Sequence, residues 1–287
     1  SFILSSSQAQ AGVKHVGVVA QTTSKGLAGD YQGVILEALM HAVDPKRCML
    51  VNYFYENEDL ANLDEFVRFI DGMVMLGGAE TQAPEKCRAA KRPHVLIDPG
   101  QREVSENGAM ILLDNHTAIR AVVDHLVSLG HWRIAMIAGS LDNIVARERL
   151  EAYQAAMQAH ELPLRADWVL DSHWTEESGH EAALRLLSLS EPPSAIVGAN
   201  DLVGFGAVRA AREMGLHIGS DVSVTGFDDL PLAETWQLTT VRQPLRMMAE
   251  MAADMLTQLM SGSTLPERIV TVPSELVIRQ STGRARR

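Results

Sequence analysis

The chain is short of cysteine, of positive charge and of long apolar runs, and each shortage removes a class of protein. Its two cysteines, Cys48 and Cys87, form no CxxC pair. A disulfide framework or a cysteine-based zinc site is therefore not supported, and reduced thiols in a cytoplasmic protein are the expectation. Lys and Arg number 25 against 36 Asp and Glu, a net charge of −11. That balance opposes a broad phosphate-binding surface, which needs clustered cations. No apolar run approaches the ~20 residues that span a bilayer, so no membrane association is expected. The opening SFILSSSQAQAG has neither a basic start nor an apolar stretch long enough for a secretory signal. The chain does not begin with Met, and a preceding segment is expected.

Chemical motifs are missing too. There is no GxxxxGK[ST] phosphate loop, no GxSxG elbow and no HExxH pair. The lone Gly204–Gly206 pair (GFG) lacks the third glycine of a dinucleotide fingerprint and falls inside a helical stretch, so it reads as close helix packing. His131 and His173 stand alone and read as surface or packed residues rather than metal ligands. Asp201, Asp228 and Asp229 could act as acids, but no base or nucleophile accompanies them in sequence. Neither an enzyme nor a cofactor or metal site is expected.

What is present is rhythm. At 287 residues, 46% of them apolar, the chain is long enough for one large or two medium domains with proper cores. After a linker or expression remnant over 1–12, short apolar runs alternate with helical stretches. Strands are expected at His15–Ala20, Cys48–Phe54, Gly72–Leu76 and His94–Ile97, with helices over Asp30–Ala42, Glu58–Phe69 and Pro84–Lys91. The rhythm restarts with strands at Met110–Leu113, Arg133–Ala138, Trp168–Leu170 and Ala195–Ala199. Between them lie a helix running to Leu129, capped by Asp114 or Asn115, and helices over Val145–Ala159 and Thr175–Leu189. A helix over Leu245–Met260 and strands at Ile269–Val272 and Leu276–Arg279 close the chain. Strands alternating with helices argue βαβ units and parallel sheets. The expected fold class is α/β, two doubly wound parallel-sheet lobes with a ligand cleft between them.

The stretch Ala195–Gln243 is the most informative. It reads as strand, helix and strand, with Asn200, Asp201, Asp228 and Asp229 just beyond strand ends. Ligands of parallel α/β sheets bind beyond the carboxyl ends of the strands. Polar groups there suit a small-molecule cleft.

Several phrases resemble one family. HLVSLGHWRIAMIAG (His125–Gly139), ARERLEAY (Ala146–Tyr153), GANDLVGFGAVRAAREMGLHIGSDVSVTGFDDL (Gly198–Leu230), LTTVRQPLRMMA (Leu238–Ala249) and SELVIRQST (Ser274–Thr282) are similar to the lactose/galactose-repressor (LacI/GalR) family of bacterial transcription regulators. The resemblance runs from about His15 to Thr282 and is most specific in the second half. It implies a periplasmic-binding-protein-like fold of type I, with an N-lobe of 13–113 plus 245–272 and a C-lobe of 114–242 plus 273–287.

The resemblance also implies a ligand set: Asp98 after the fourth strand, Arg149 in ARERL, Trp174 in DSHWTEES, Asn200, Asp228 and Gln243. Thr22 is added from the first loop, QTTSKGLAGDY, which departs from the aromatic phrase common in the family. Carboxylates, amides and a guanidinium fork suit the vicinal hydroxyls of a sugar, and an indole suits its flat C–H face. The bland alternatives are a helix cap for Asn200, alone or together with ligand contact, helix caps or turn residues for Asp98 and Asp228, a structural ion pair for Arg149 and packing for Trp174. The implied partners are a small-molecule effector of sugar type, a second copy of the chain, and operator DNA. The DNA would be bound through an N-terminal helix-turn-helix domain that nothing in this sequence resembles. The alternative of the same fold is a periplasmic solute-binding protein serving a transporter.

Overall fold

The computed structural model describes residues 12–21, 31–55, 62–77, 82–100 and 102–286. In chain order it contains β1 (Lys14–Gln21), α1 (Tyr31–Ala42), β2 (Cys48–Tyr55), α2 (Leu63–Phe69), β3 (Gly72–Leu76), α3 (Ala83–Ala89), β4 (His94–Ile97) and β5 (Gly108–Leu113). Next come α4 (Asn115–Ser128), β6 (Ile134–Ile137), α5 (Ile144–Ala159), β7 (Val169–Leu170), α6 (Glu176–Leu187), β8 (Ala195–Gly198), α7 (Asp201–Glu213) and β9 (Ser223–Thr225). The last elements are α8 (Pro231–Thr235), β10 (Thr240–Arg242), α9 (Leu245–Met260), β11 (Ile269–Val272) and β12 (Glu275–Val277).

Two compact units result, one built on Gln32–Ile111 and Leu245–Val270, the other on Leu112–Pro244 and Thr271–Arg287. The first carries a six-stranded sheet in the order β11-β5-β4-β3-β1-β2, in which β1 to β5 pair in parallel. Its central strands GMVML and HVLI are buried at every position. That is the signature of a parallel sheet covered on both faces, and it explains why these strands read as continuous apolar runs.

The second unit carries a four-stranded parallel sheet in the order β7-β6-β8-β9. Its core joins Ile137, Ile196 and Val224 of the sheet to Phe205, Val208 and Leu186 of the helices. The strand order reverses between β6 and β8, and such a switch point is where an open α/β sheet leaves a crevice. A separate antiparallel pair, β10 with β12, uses the segments on either side of α9 and β11.

Helices α6 and α7 pack unusually close. A Cβ at Gly206 would press into the Glu176 carbonyl and lie 2.5 Å from the His180 nitrogen. Gly206 therefore serves close helix packing, while Gly204 lies against Thr225 and Gly226 at the end of β9. Other boundaries shift by a few residues. β5 begins at Gly108, two residues before Met110, where Gly108 pairs with His94 and a Cβ would lie only 2.7 Å from His94 Nε2. The last strand is Glu275–Val277, ending where its pairing with Thr240 ends. Asp114, not Asn115, caps α4 by accepting from the Thr117 N–H at 3.0 Å. That leaves Asn115 free for a different task.

Candidate functional site

In the second unit, residues that follow β5, β7, β8 and β9 gather around Arg149. This arginine sits in the second turn of α5 and is 3% exposed. Its Nε donates to Asn115 Oδ1 at 2.9 Å and its Nη1 to the Ala199 carbonyl at 2.7 Å. Asn115 in turn donates from Nδ2 to Glu148 Oε2 at 2.9 Å. The guanidinium carbon lies 3.6 Å from the ring centroid of Phe227 and 5.8 Å from that of Trp174. A buried guanidinium held this way is rigid, and its planar fork suits bidentate recognition of oxygen acceptors.

Trp174 follows β7 with φ 62°, a left-handed conformation that is uncommon for a bulky side chain. Its indole lies against Gly139, where any Cβ would collide with the ring. Asn200 caps α7: its Oδ1 accepts from the Val203 N–H at 2.9 Å, while its Nδ2 donates to the Trp174 carbonyl at 3.2 Å. One amide thus satisfies a helix terminus and anchors the loop that carries Trp174. The cap reading holds for Asn200, and its exposure of 8% leaves little of it to solvent.

Asp228 follows β9 with φ 118°, a region that is strained for any residue with a side chain. The turn is held by the Asp228 N–H donating to the Val241 carbonyl at 2.8 Å. Gln243, just after β10, donates from Nε2 to Asp228 Oδ1 at 2.6 Å. Gln243 is 4% exposed, and its Oε1 has no hydrogen-bond partner. A buried amide oxygen without a donor costs about 1–3 kcal/mol, so this acceptor is poised for one.

The neighbouring carboxylates have other work. Asp229 pairs with Arg242 and with Arg279, each at 2.7 Å. Asp201 is fully buried and accepts from Thr240 Oγ1 and from the Leu230 N–H. Burial, then the nearby Asp228 charge, pushes its carboxyl well above the usual range.

Of the residues expected from sequence, Arg149, Trp174, Asn200, Asp228 and Gln243 belong to the second unit, with Arg149 facing Trp174, Asn200 bonding Trp174, and Gln243 bonding Asp228. Asp98 belongs to the first unit, beyond the end of β4. It is buried, has φ 44°, and its N–H donates to the Ile111 carbonyl at 2.8 Å. Thr22 lies outside the described residues. Sequence reasoning missed Asn115, Phe227 and Gly139, whose partners stand far off in the chain. Among the described residues no group of His, Cys, Asp and Glu could hold a metal ion, and no helix is long and apolar enough to cross a membrane. A cavity of about 190 Å³ in the first unit, beside Val16, Cys48 and Met260, lies toward the amino ends of β1 and β2. That is the wrong end of the sheet for a ligand site of this fold.

Comparison with known proteins bears on the family. The family of periplasmic binding protein-like domains matches residues 123–282, more than half of the chain. Over 231 residues the chain is 35% identical to the HTH-type transcriptional regulator MalR of Streptomyces coelicolor, covering 76% of this chain and 66% of that protein. The chain belongs to the LacI/GalR family. Among solved structures, the transcriptional regulator CelR in complex with cellobiose is similar with a TM-score of 0.85 and 26% identity, over 93% of this chain and 84% of that one. The lac repressor dimer bound to operator and the anti-inducer ONPF is similar with a TM-score of 0.81 and 26% identity, over 96% of each chain. The chain spans about two thirds of MalR's length, 66%. These relatives are regulators by name, and the periplasmic-binding-protein-like fold is the part of them that this chain shares.

Proposed function

We propose that this chain is the effector-sensing and dimerisation core of a cytoplasmic bacterial transcriptional regulator, and that its effector is a sugar or sugar derivative. The observation that carries the reading is the Gln243–Asp228 pair. Gln243 Oε1 is a buried acceptor with no donor, set beside a buried carboxylate. Acceptors call for donors, and the hydroxyls of a sugar supply them. The Arg149 fork and the Trp174 indole, close enough to face each other at 5.8 Å, suit ring oxygens and an apolar sugar face. Asp98 and Thr22 are proposed as further contacts, by family likeness alone. The named ligand of the CelR complex, cellobiose, is a sugar of the kind meant.

Effector binding would act through a helix-turn-helix domain of the whole protein, in a dimer, by favouring one arrangement of the chain over another. A ligand that binds two states unequally by about 1–3 kcal/mol changes operator affinity by about 5- to 150-fold. The test is a thermal-shift screen over mono- and disaccharides, sugar phosphates and polyols, since a specific ligand stabilises the state that binds it. Arg149→Ala and Gln243→Leu should abolish the shift while the far-ultraviolet spectrum is kept. No shift with any sugar, or a shift kept in both variants, would refute the reading.

A further inference from the structure

The carboxyl group of Asp201 is fully buried, and the bonds of this residue flank Asp228 on both sides and reach β10 just before Gln243. Its own N–H donates to the Phe227 carbonyl at 2.7 Å, one residue before Asp228. Its Oδ2 accepts from the Leu230 N–H at 2.7 Å, two residues after Asp228. Its Oδ1 accepts from Thr240 Oγ1 at 2.5 Å, three residues before Gln243. A Cβ at Gly226 would collide with Asp201 Oδ1, so the turn is built tightly around this carboxylate.

We propose that Asp201 is the positioning residue of the effector site, holding the 226–230 turn and the end of β10 in the one register that brings Asp228 against Gln243. This deepens the effector reading and rests on it for the ligand, though not for the geometry. A carboxyl group suits the task because its two oxygens accept in two directions, so Thr240 and Leu230 are both drawn inward. Asp228 at φ 118° needs such restraint, because a strained residue persists only where its surroundings over-determine it. The charges that face this point are Asp228 and Asp229 from the turn, with Arg242 of β10 and Arg279 beyond β12 neutralising Asp229.

The test is amide hydrogen exchange of the whole chain without ligand, read in peptides covering 226–230 and 240–243. Asp201→Asn keeps an acceptor for Leu230 and offers its amide N–H to Thr240, so exchange should stay within a few-fold of the parent. Asp201→Leu fills the space with no acceptor and should speed exchange in both peptides about 10- to 100-fold, with α6 unchanged. Thr240→Val keeps the shape, removes the donor, and should loosen the same two peptides even if Asp201→Leu does not fold. Equal behaviour of the Asn and Leu variants, a uniform rise across the second unit, or unchanged exchange in Thr240→Val would overturn the inference. Failure here leaves the effector reading standing, and a failed sugar screen leaves this one standing, because exchange is read without ligand.

Discussion

The guanidinium of Arg149 stacks on the ring of Phe227, carbon to centroid 3.6 Å, across 78 positions of sequence (227 − 149). Phe227 is fully buried, so the ring serves as a platform that fixes the plane of the fork. Desolvated contacts of this kind are worth about 0.5–2 kcal/mol.

Phe227→Leu should therefore weaken sugar binding by about 2- to 30-fold beyond its effect on stability. Calorimetric titration with the best sugar of the screen measures it. An unchanged affinity would mean that the Phe227 ring does not orient Arg149.

Asn200 separates two roles. Asn200→Ala removes the cap of α7 and should cost about 1 kcal/mol of stability without any ligand. Asn200→Asp keeps the cap acceptor but loses the donor to the Trp174 carbonyl, so it should hold stability better and disturb Trp174 more. Urea unfolding followed by tryptophan fluorescence reads this directly, since Trp132, Trp168, Trp174 and Trp236 all belong to the second unit.

The contact of α6 with α7 makes Gly206 irreplaceable. Gly206→Ala would drive a methyl into the backbone of Glu176 and His180, and overpacking that backbone cannot relieve should cost about 3 kcal/mol or more. Gly215→Ala is the control. It has open space around it, but its φ of 76° should still cost about 1 kcal/mol. Equal losses in the two variants would show that backbone conformation alone decides.

Acid should loosen the second unit through His131. Its Nε2 donates to the Gly283 carbonyl at 3.0 Å and its Nδ1 lies 2.9 Å from Ser194 Oγ, while burial holds its pKa below the usual histidine value of 6.5. The unfolded chain then binds more protons than the folded one as pH falls below about 6.5, so stability is full above that point and is lost as pH falls toward the folded value. Asp201, whose pKa is raised, works in the opposite sense: its contribution is present at low pH and lost as pH rises through its folded value. His131→Gln should flatten the acid limb of a plot of Tm against pH between 7 and 5. A limb of unchanged slope would assign it to another group.

The alternation of strands and helices was legible in the sequence because buried parallel strands are apolar throughout and the helices between them carry apolar faces. His94–Ile97, Leu245–Met260 and Ile269–Val272 have the same bounds in the structure as in the pattern. The polar residues beyond strand ends were legible as types, since Asn and Asp in such places either cap or bind. The part of Phe227 was not, because a phenylalanine between a strand and two aspartates looks like any core residue. Asn115 was hidden for a different reason: its neighbour Asp114 took the cap, and its partner Arg149 lies 34 positions on (149 − 115).

The sequence alone thus determined the element types, the sheet class and the chemical inventory of the candidate site, since these follow from local periodicity and from side-chain functional groups. Only the tertiary structure decided which of those groups meet. The order β7-β6-β8-β9 brings loops from distant parts of the chain to the carboxyl ends of neighbouring strands, where hydrogen bonds spanning up to 50 residues join Arg149 to Ala199, Asn200 to Trp174 and Gln243 to Asp228. It also shows what occupies Asp201 and Asp229, which the family resemblance had already left out of the ligand set. Like Asp228 they are aspartates at strand ends, but these two are spent on holding the turn, and Asp228 is left to face Gln243.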